Sequence, residues 1–235
     1  MKAKRILACI LSAAMLLSMF AAISVPGVSA VISDSDVLLD LDFSTYNGEA
    51  TFTDKTGNLT VDMTGIEVGE GRTEGSASAK LDGTDGIRWR GEDYDPFALT
   101  DTGFTLSVWY NVSVYKAWTQ WFAYGRRQDY GMILQYSSQG AANPKLSYNT
   151  HPQLKEGSGY PGENQWAMVT IKQDYSTKLL SVYVNGQLIT AKIWDYTMKD
   201  IATYTQEGVT YNASYNLGAP IDRNTCWDYW SGDPK

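Results

Sequence analysis

The residues best able to do chemistry in this 235-residue chain are aromatic and cationic side chains set close together. Trp118, Trp121, Tyr124 and Tyr130 flank Arg126 and Arg127, and a second group, Asp222, Arg223, Trp227, Tyr229 and Trp230, crowds the last stretch of sequence. Flat rings offer apolar faces, while Arg and Asp supply hydrogen-bond donors and acceptors. A sugar ring needs both, because it carries an apolar C–H face and a rim of hydroxyls. Both segments therefore read as candidate carbohydrate-binding surfaces, set against the ordinary alternative that Trp and Tyr fill a β-sheet core. Trp89, Trp109 and Trp166 lie inside strand patterns and are expected in the core.

Other chemistries find less material. A Ser-His-acid site would have to use His151, the only histidine, and no Gly-x-Ser-x-Gly elbow presents a serine. One His and, beyond Cys9, the single Cys226 cannot supply the three or four ligands of a transition-metal site. Calcium suits the chain better, since it takes oxygen ligands, and Asp40, Asp42 and Asp82 are candidate ligands of a structural calcium. No Asp-x-Asp-x-Asp-Gly loop is present, so such a site would have to be assembled from separate loops, with a solvated face as the plainer reading of these acids. The cluster Glu92-Asp93-Tyr94-Asp95 precedes Pro96 and reads as a solvated or ion-binding turn, or as the acids of a hydrolase.

A formal net charge of −7 disfavours a nucleic-acid partner, which would need a basic surface. Lys2, Lys4 and Arg5, the apolar run Ile6 to Ile23 and the small-residue site Val28-Ser29-Ala30 form an export signal over residues 1–30. One domain over residues 31–235 is then expected, secreted or extracellular, with no membrane span once the signal is cleaved. With 43% hydrophobic and 19% charged residues this chain has material for a real core. Having lost Cys9, it would form no internal disulfide.

The apolar pattern that must position these groups has period two almost throughout, the mark of strands with one face on a core. Val37 to Phe43, Leu59 to Met63, Gly86 to Arg90, Phe104 to Val112, Thr119 to Tyr124, Met132 to Tyr136, Leu146 to Tyr148, Trp166 to Lys172 and Leu179 to Val184 are strand candidates. Asn185-Gly186 predicts a two-residue hairpin turn into Gln187 to Thr190. Only Tyr196 to Tyr204 has room for a helical turn. Such a series of short strands, without helical patterns between them, fits an all-β antiparallel sandwich or jelly roll.

The order Leu38-Leu39-Asp40-Leu41-Asp42-Phe43, Ala79-Lys80-Leu81-Asp82-Gly83, Phe104-Thr105-Leu106-Ser107-Val108-Trp109, Trp166-Ala167-Met168-Val169-Thr170 and Leu180-Ser181-Val182-Tyr183-Val184-Asn185-Gly186 resembles the laminin G-like jelly rolls of the concanavalin A-like lectin and glucanase superfamily. The resemblance implies two antiparallel sheets, one of which often binds glycans. It also implies a last strand after the loop from Asp222 to Lys235, pairing beside the first strand, so the chain is expected to be a fragment with an open edge at Val37 to Phe43. The paired-acid signature of the superfamily's glycanases is absent. The reading is thus a non-catalytic carbohydrate-binding module that recognises an oligo- or polysaccharide and belongs with further modules of a larger extracellular protein. A glycoside hydrolase or lyase with a non-standard acid pair, and a protein-binding adhesion module, are the alternatives.

Overall fold

The computed structural model describes residues 33–82, 86–114, 120–127, 130–136, 146–150, 154–158, 161–206 and 209–218. The expected signal peptide lies outside them, and among them no helix is long and apolar enough to cross a membrane. Two short ribbons come first, β1 (Thr51–Thr53) with β2 (Thr60–Asp62) and β3 (Glu67–Glu70) with β4 (Ala77–Lys80). Then follow β5 (Ile87–Arg90), β6 (Gly103–Tyr110), β7 (Gln120–Arg127), β8 (Tyr130–Tyr136), β9 (Leu146–Thr150) and β10 (Leu154–Ser158). After them come β11 (Ala167–Asp174), β12 (Leu179–Val184), β13 (Gln187–Ile193), the ribbon β14 (Thr203–Gln206) with β15 (Val209–Asn212), and β16 (Ser214–Leu217). Among the described residues helix is confined to short 3-10 turns, one of them at Met198–Ile201, within the span expected to hold a helical turn.

Two antiparallel sheets carry the architecture of a jelly-roll sandwich. One runs β10-β9-β8-β7-β16-β5 and the other β13-β12-β11-β6. Alternation decides which side chains lie between them. Ile87 and Trp89, Phe122 and Tyr124, Met132 and Leu134, and Tyr215 come from the first sheet, and Val169, Ile171, Leu180 and Val182 come from the second, all nearly excluded from water. Each such side chain contributes roughly 1.5–3 kcal/mol of burial. At the turn between β12 and β13, Asn185 and Gly186 both take positive φ, 50° and 78°, as the hairpin reading requires.

Two strand expectations need correction. The pattern from Val37 to Phe43 has strand periodicity, yet residues 38–42 join no ladder with the described residues; the chain then makes a 3-10 turn at Phe43–Thr45. Trp109 is 45% exposed, because it alternates with Val108 and Tyr110 and so stands on the outward face of β6, where the Arg72 guanidinium lies 4.4 Å from its ring centre.

Asp42 accepts hydrogen bonds from Lys55 Nζ at 2.5 Å and from the Ser44 amide at 3.0 Å, and these hold its carboxyl down at about 2. Among the described residues no group of three or more His, Cys, Asp or Glu side chains is placed to hold a metal ion. A depressed folded-state pKa means that the stability from Asp42 is present above its unfolded pKa and lost as pH falls through the folded one. Unfolding midpoints should therefore drop between about pH 4 and pH 2, and Lys55→Met should flatten that part of the profile. Because the pair is solvent-exposed, the difference will be small.

Candidate functional site

The strand β16 runs between β7 and β5 and sorts its four residues by parity. Tyr215 stacks on Trp89 with ring centres 4.5 Å apart and planes 6° from parallel, which fixes this side of the strand toward the core. Ser214 and Asn216 therefore project from the opposite face. Ser214 is in register with Arg90 and Gly125, and Asn216 with Arg88 and Ala123. The outward face at the β5 end of the sheet thus presents two arginines, a serine and an asparagine beside positions holding only Ala123 and Gly125. Ala123, Ser214 and Asn216 on this face are themselves buried.

Asn216 is the unusual member. It is 2% exposed, and among the described residues neither its Oδ1 nor its Nδ2 has a hydrogen-bond partner. An orphaned buried amide of this kind costs about 1–3 kcal/mol, which marks Asn216 as a candidate binding group. Gly86 contributes to the tightness: a Cβ there would lie 3.0 Å from Asn216 Oδ1 and 2.9 Å from the Gly218 carbonyl oxygen.

A charged rim borders this face. Glu92 accepts from Arg90 Nη1 at 3.2 Å and from Asn212 Nδ2 at 3.0 Å. The Asn212 amide first, and Arg90 second, hold the Glu92 carboxyl below the usual carboxylate range, so it stays ionised and suits acceptance of hydroxyl hydrogens. Asp95 is turned the other way. Its carboxylate accepts from Tyr215 Oη at 2.5 Å, from Tyr124 Oη at 3.3 Å and from the Phe97 and Ala98 amides at 3.0 and 3.1 Å, capping the 3-10 turn Pro96–Leu99. Burial above all, and then the neighbouring charge and phenols, push both tyrosines far above the ordinary phenol range, so both remain donors. Asp95 is thus engaged by core tyrosines, whereas the Glu92 side chain is half-exposed at the rim.

The structure separates the residues expected from sequence to form the site. Tyr124 is fully buried, with its ring against Phe97 and Tyr215, and Trp121 is 8% exposed and stacked 3.9 Å from Tyr110. Neither presents a ring face to a ligand; both are core residues. Parity puts Tyr124 inside, and an irregular register between Gln120 and Phe122 accompanies the inward turn of Trp121. Arg126 and Arg127 lie at the end of β7 and Tyr130 at the start of β8, at the end of the hairpin that continues the same sheet. Trp118, Asp222, Arg223, Trp227, Tyr229 and Trp230 fall outside the described residues, as do His151 and Cys226. Aromatic clustering does not point to Arg88 and Asn216, although the alternations Ile87-Arg88-Trp89-Arg90 and Ser214-Tyr215-Asn216-Leu217 display a polar face in the sequence itself.

Residues 81–229 match the family model described as the concanavalin A-like lectin/glucanases superfamily. No curated protein matches the chain. Among solved structures, domain 4 of AbnA, a GH43 extracellular arabinanase from Geobacillus stearothermophilus in complex with arabinotriose, is similar at 20% identity and a TM-score of 0.49, over 76% of this chain and 82% of that one. The CBM40 of the Ruminococcus gnavus IT-sialidase is similar at 16% identity and a TM-score of 0.43, over 60% of this chain and 77% of that one.

Proposed function

The chain belongs to the concanavalin A-like lectin/glucanase superfamily, and from that premise we propose that it is a secreted, non-catalytic module that binds an oligo- or polysaccharide on the outward face of its six-stranded sheet. The observation that carries this reading is the buried Asn216 amide, which has no partner among the described residues, in register with Arg88 and flanked by Ala123 and Gly125. A sugar with vicinal hydroxyls offers a donor and an acceptor at the spacing of a carboxamide, and Arg88, Arg90, Glu92 and Ser214 supply further polar contacts around it. In this proposal Arg126, Arg127 and Tyr130 extend the site along the same sheet, and Trp118, Trp227, Tyr229 and Trp230, with Asp222 and Arg223, provide stacking and rim contacts by their chemistry. The fold alone would serve enzymes equally well, so the weight rests on the site.

The test is retention of the protein by a panel of insoluble and immobilised glycans while released sugar is followed. Saturable retention without release is the expected outcome, and reducing-end release would transfer the reading to a hydrolase or lyase. The adhesion reading has an observation of its own. Trp109, Leu179, Leu188 and Ile193 are exposed on the outward side of the four-stranded sheet, and apolar side chains gathered on one face suit a protein partner. A folded sample that no glycan retains would favour it.

A further inference from the structure

We propose that the polar face at Asn216 is gated: a hydrogen-bonded strap of three side chains, Arg90, Glu92 and Asn212, holds it shut, and the strap opens when its members exchange one another for the hydroxyls of a sugar. The inference rests on the carbohydrate reading of this face and adds how a ligand reaches it. The need for movement follows from burial. Asn216, Ser214 and Ala123 are all buried, and both polar atoms of the Asn216 amide are closed to water. A sugar hydroxyl cannot meet a group that water does not reach unless something first swings aside.

The strap lies where such a movement would begin. Arg90 and Ser214 are directly in register, and both stand on the outward side, because their neighbours Trp89 and Tyr215 stack in the core. Arg90 Nη1 donates to Glu92 Oε1 at 3.2 Å, and Asn212 Nδ2 donates to Glu92 Oε2 at 3.0 Å. Both carboxylate oxygens are thereby engaged, and the turn after β5 is joined to the end of β15 beside Ser214. Asn216 is the next outward residue of β16, about 7 Å farther along the strand. The frame under the strap is held by backbone bonds: the Gly91 amide donates to the Ala213 carbonyl at 2.8 Å, and the Asp93 amide donates to the Arg90 carbonyl at 3.0 Å. Opening therefore takes side-chain rotation alone and leaves the ladder between β5 and β16 intact.

The strength of the strap suits a gate. The Arg90 and Glu92 side chains are half-exposed, and an ion pair so accessible to water shifts an equilibrium by only about two- to fivefold. The exchange of partners also balances chemically. Glu92 only accepts and Arg90 only donates, whereas a sugar hydroxyl does both, so one hydroxyl can stand between them and satisfy each. A closed population lowers the apparent affinity by the fraction of molecules that are open, and the strap sets part of that fraction.

Deuterium exchange of the Asn216 side-chain amide in the whole protein, followed by NMR, tests the gate with water as its only probe. Exchange should proceed through local opening, slower than that of a free carboxamide and faster than that of the backbone amides of β11, which report global unfolding. Asn212→Ala and Glu92→Ala cut the strap at different links. Each should raise the ratio of the Asn216 rate to the β11 rates by about two- to fivefold, and the double variant should raise it no further. Exchange at the free-carboxamide rate would mean that the face never closes, and exchange no faster than that of β11 would mean that it never opens. Either result overturns the proposal, as does a ratio that neither substitution moves. Failure of the carbohydrate reading would show itself separately, as a panel of glycans that retains nothing while the exchange pattern stands.

Discussion

Asp95→Ala is expected to cost about 4 kcal/mol of folding stability, read as a lowered denaturant midpoint at unchanged slope. The carboxylate serves four donors at once: two buried phenols from strands far apart in sequence and two amides at the start of a 3-10 turn. Truncation leaves Tyr124 and Tyr215 with hydroxyls shut away from water and removes the cap, and these losses are of one sign. Asp95→Asn keeps the shape and one acceptor oxygen, so it should lose clearly less. If Asp95 instead served as a hydrolytic acid, both variants would abolish sugar release while leaving the unfolding midpoint nearly unchanged. The geometry predicts the reverse emphasis, because this side chain points at core tyrosines and away from the polar sheet face.

Asn216→Leu should move stability and binding in opposite directions. Leucine keeps the branched skeleton of asparagine, with bulkier methyls in place of the oxygen and amide, and leaves no polar atom unpaired, so the variant should gain about 1 kcal/mol where a buried, partnered asparagine would lose stability on the same change. Affinity for any glycan that the protein retains should fall about tenfold or more, since a hydrogen-bonding pair in a desolvated position is lost. A gain in stability coupled to a loss of binding is the signature of a residue kept for its ligand. Arg88→Ala should weaken binding as well, and it offers a check that does not depend on the asparagine. Loss of stability in Asn216→Leu with unchanged affinity would mark Asn216 as an ordinary structural residue.

Much of this architecture can be read from periodicity. The alternation in Phe104 to Tyr110 and Leu179 to Val184 states which side chains face inward, and Asn185-Gly186 announces its turn. Parity alone even places Trp109 outward, against the habit of assigning tryptophan to the core. The misplaced residues share a physical cause. Whether Tyr124 faces core or ligand depends on its register with Tyr215 and Met132, contributed by strands distant from it in sequence, and the Trp121 position involves an irregular register that no local pattern signals. Strand periodicity at Val37 to Phe43 likewise predicts a conformation but not a partner. The polar face was visible as the alternation of Arg88, Arg90, Ser214 and Asn216, whereas the unpartnered state of Asn216 is not a property of any segment. It arises only when β5, β16 and β7 are brought side by side with arginine on one flank and alanine on the other.

The most direct test of the binding account is retention by immobilised glycans measured side by side for the natural protein and Asn216→Leu, both shown to be folded, with released sugar followed in the same samples. The account predicts that at least one glycan retains the natural protein saturably and without sugar release, and that Asn216→Leu, though more stable, is retained about tenfold less well. Equal retention of the two proteins would place the sugar elsewhere and contradict the account.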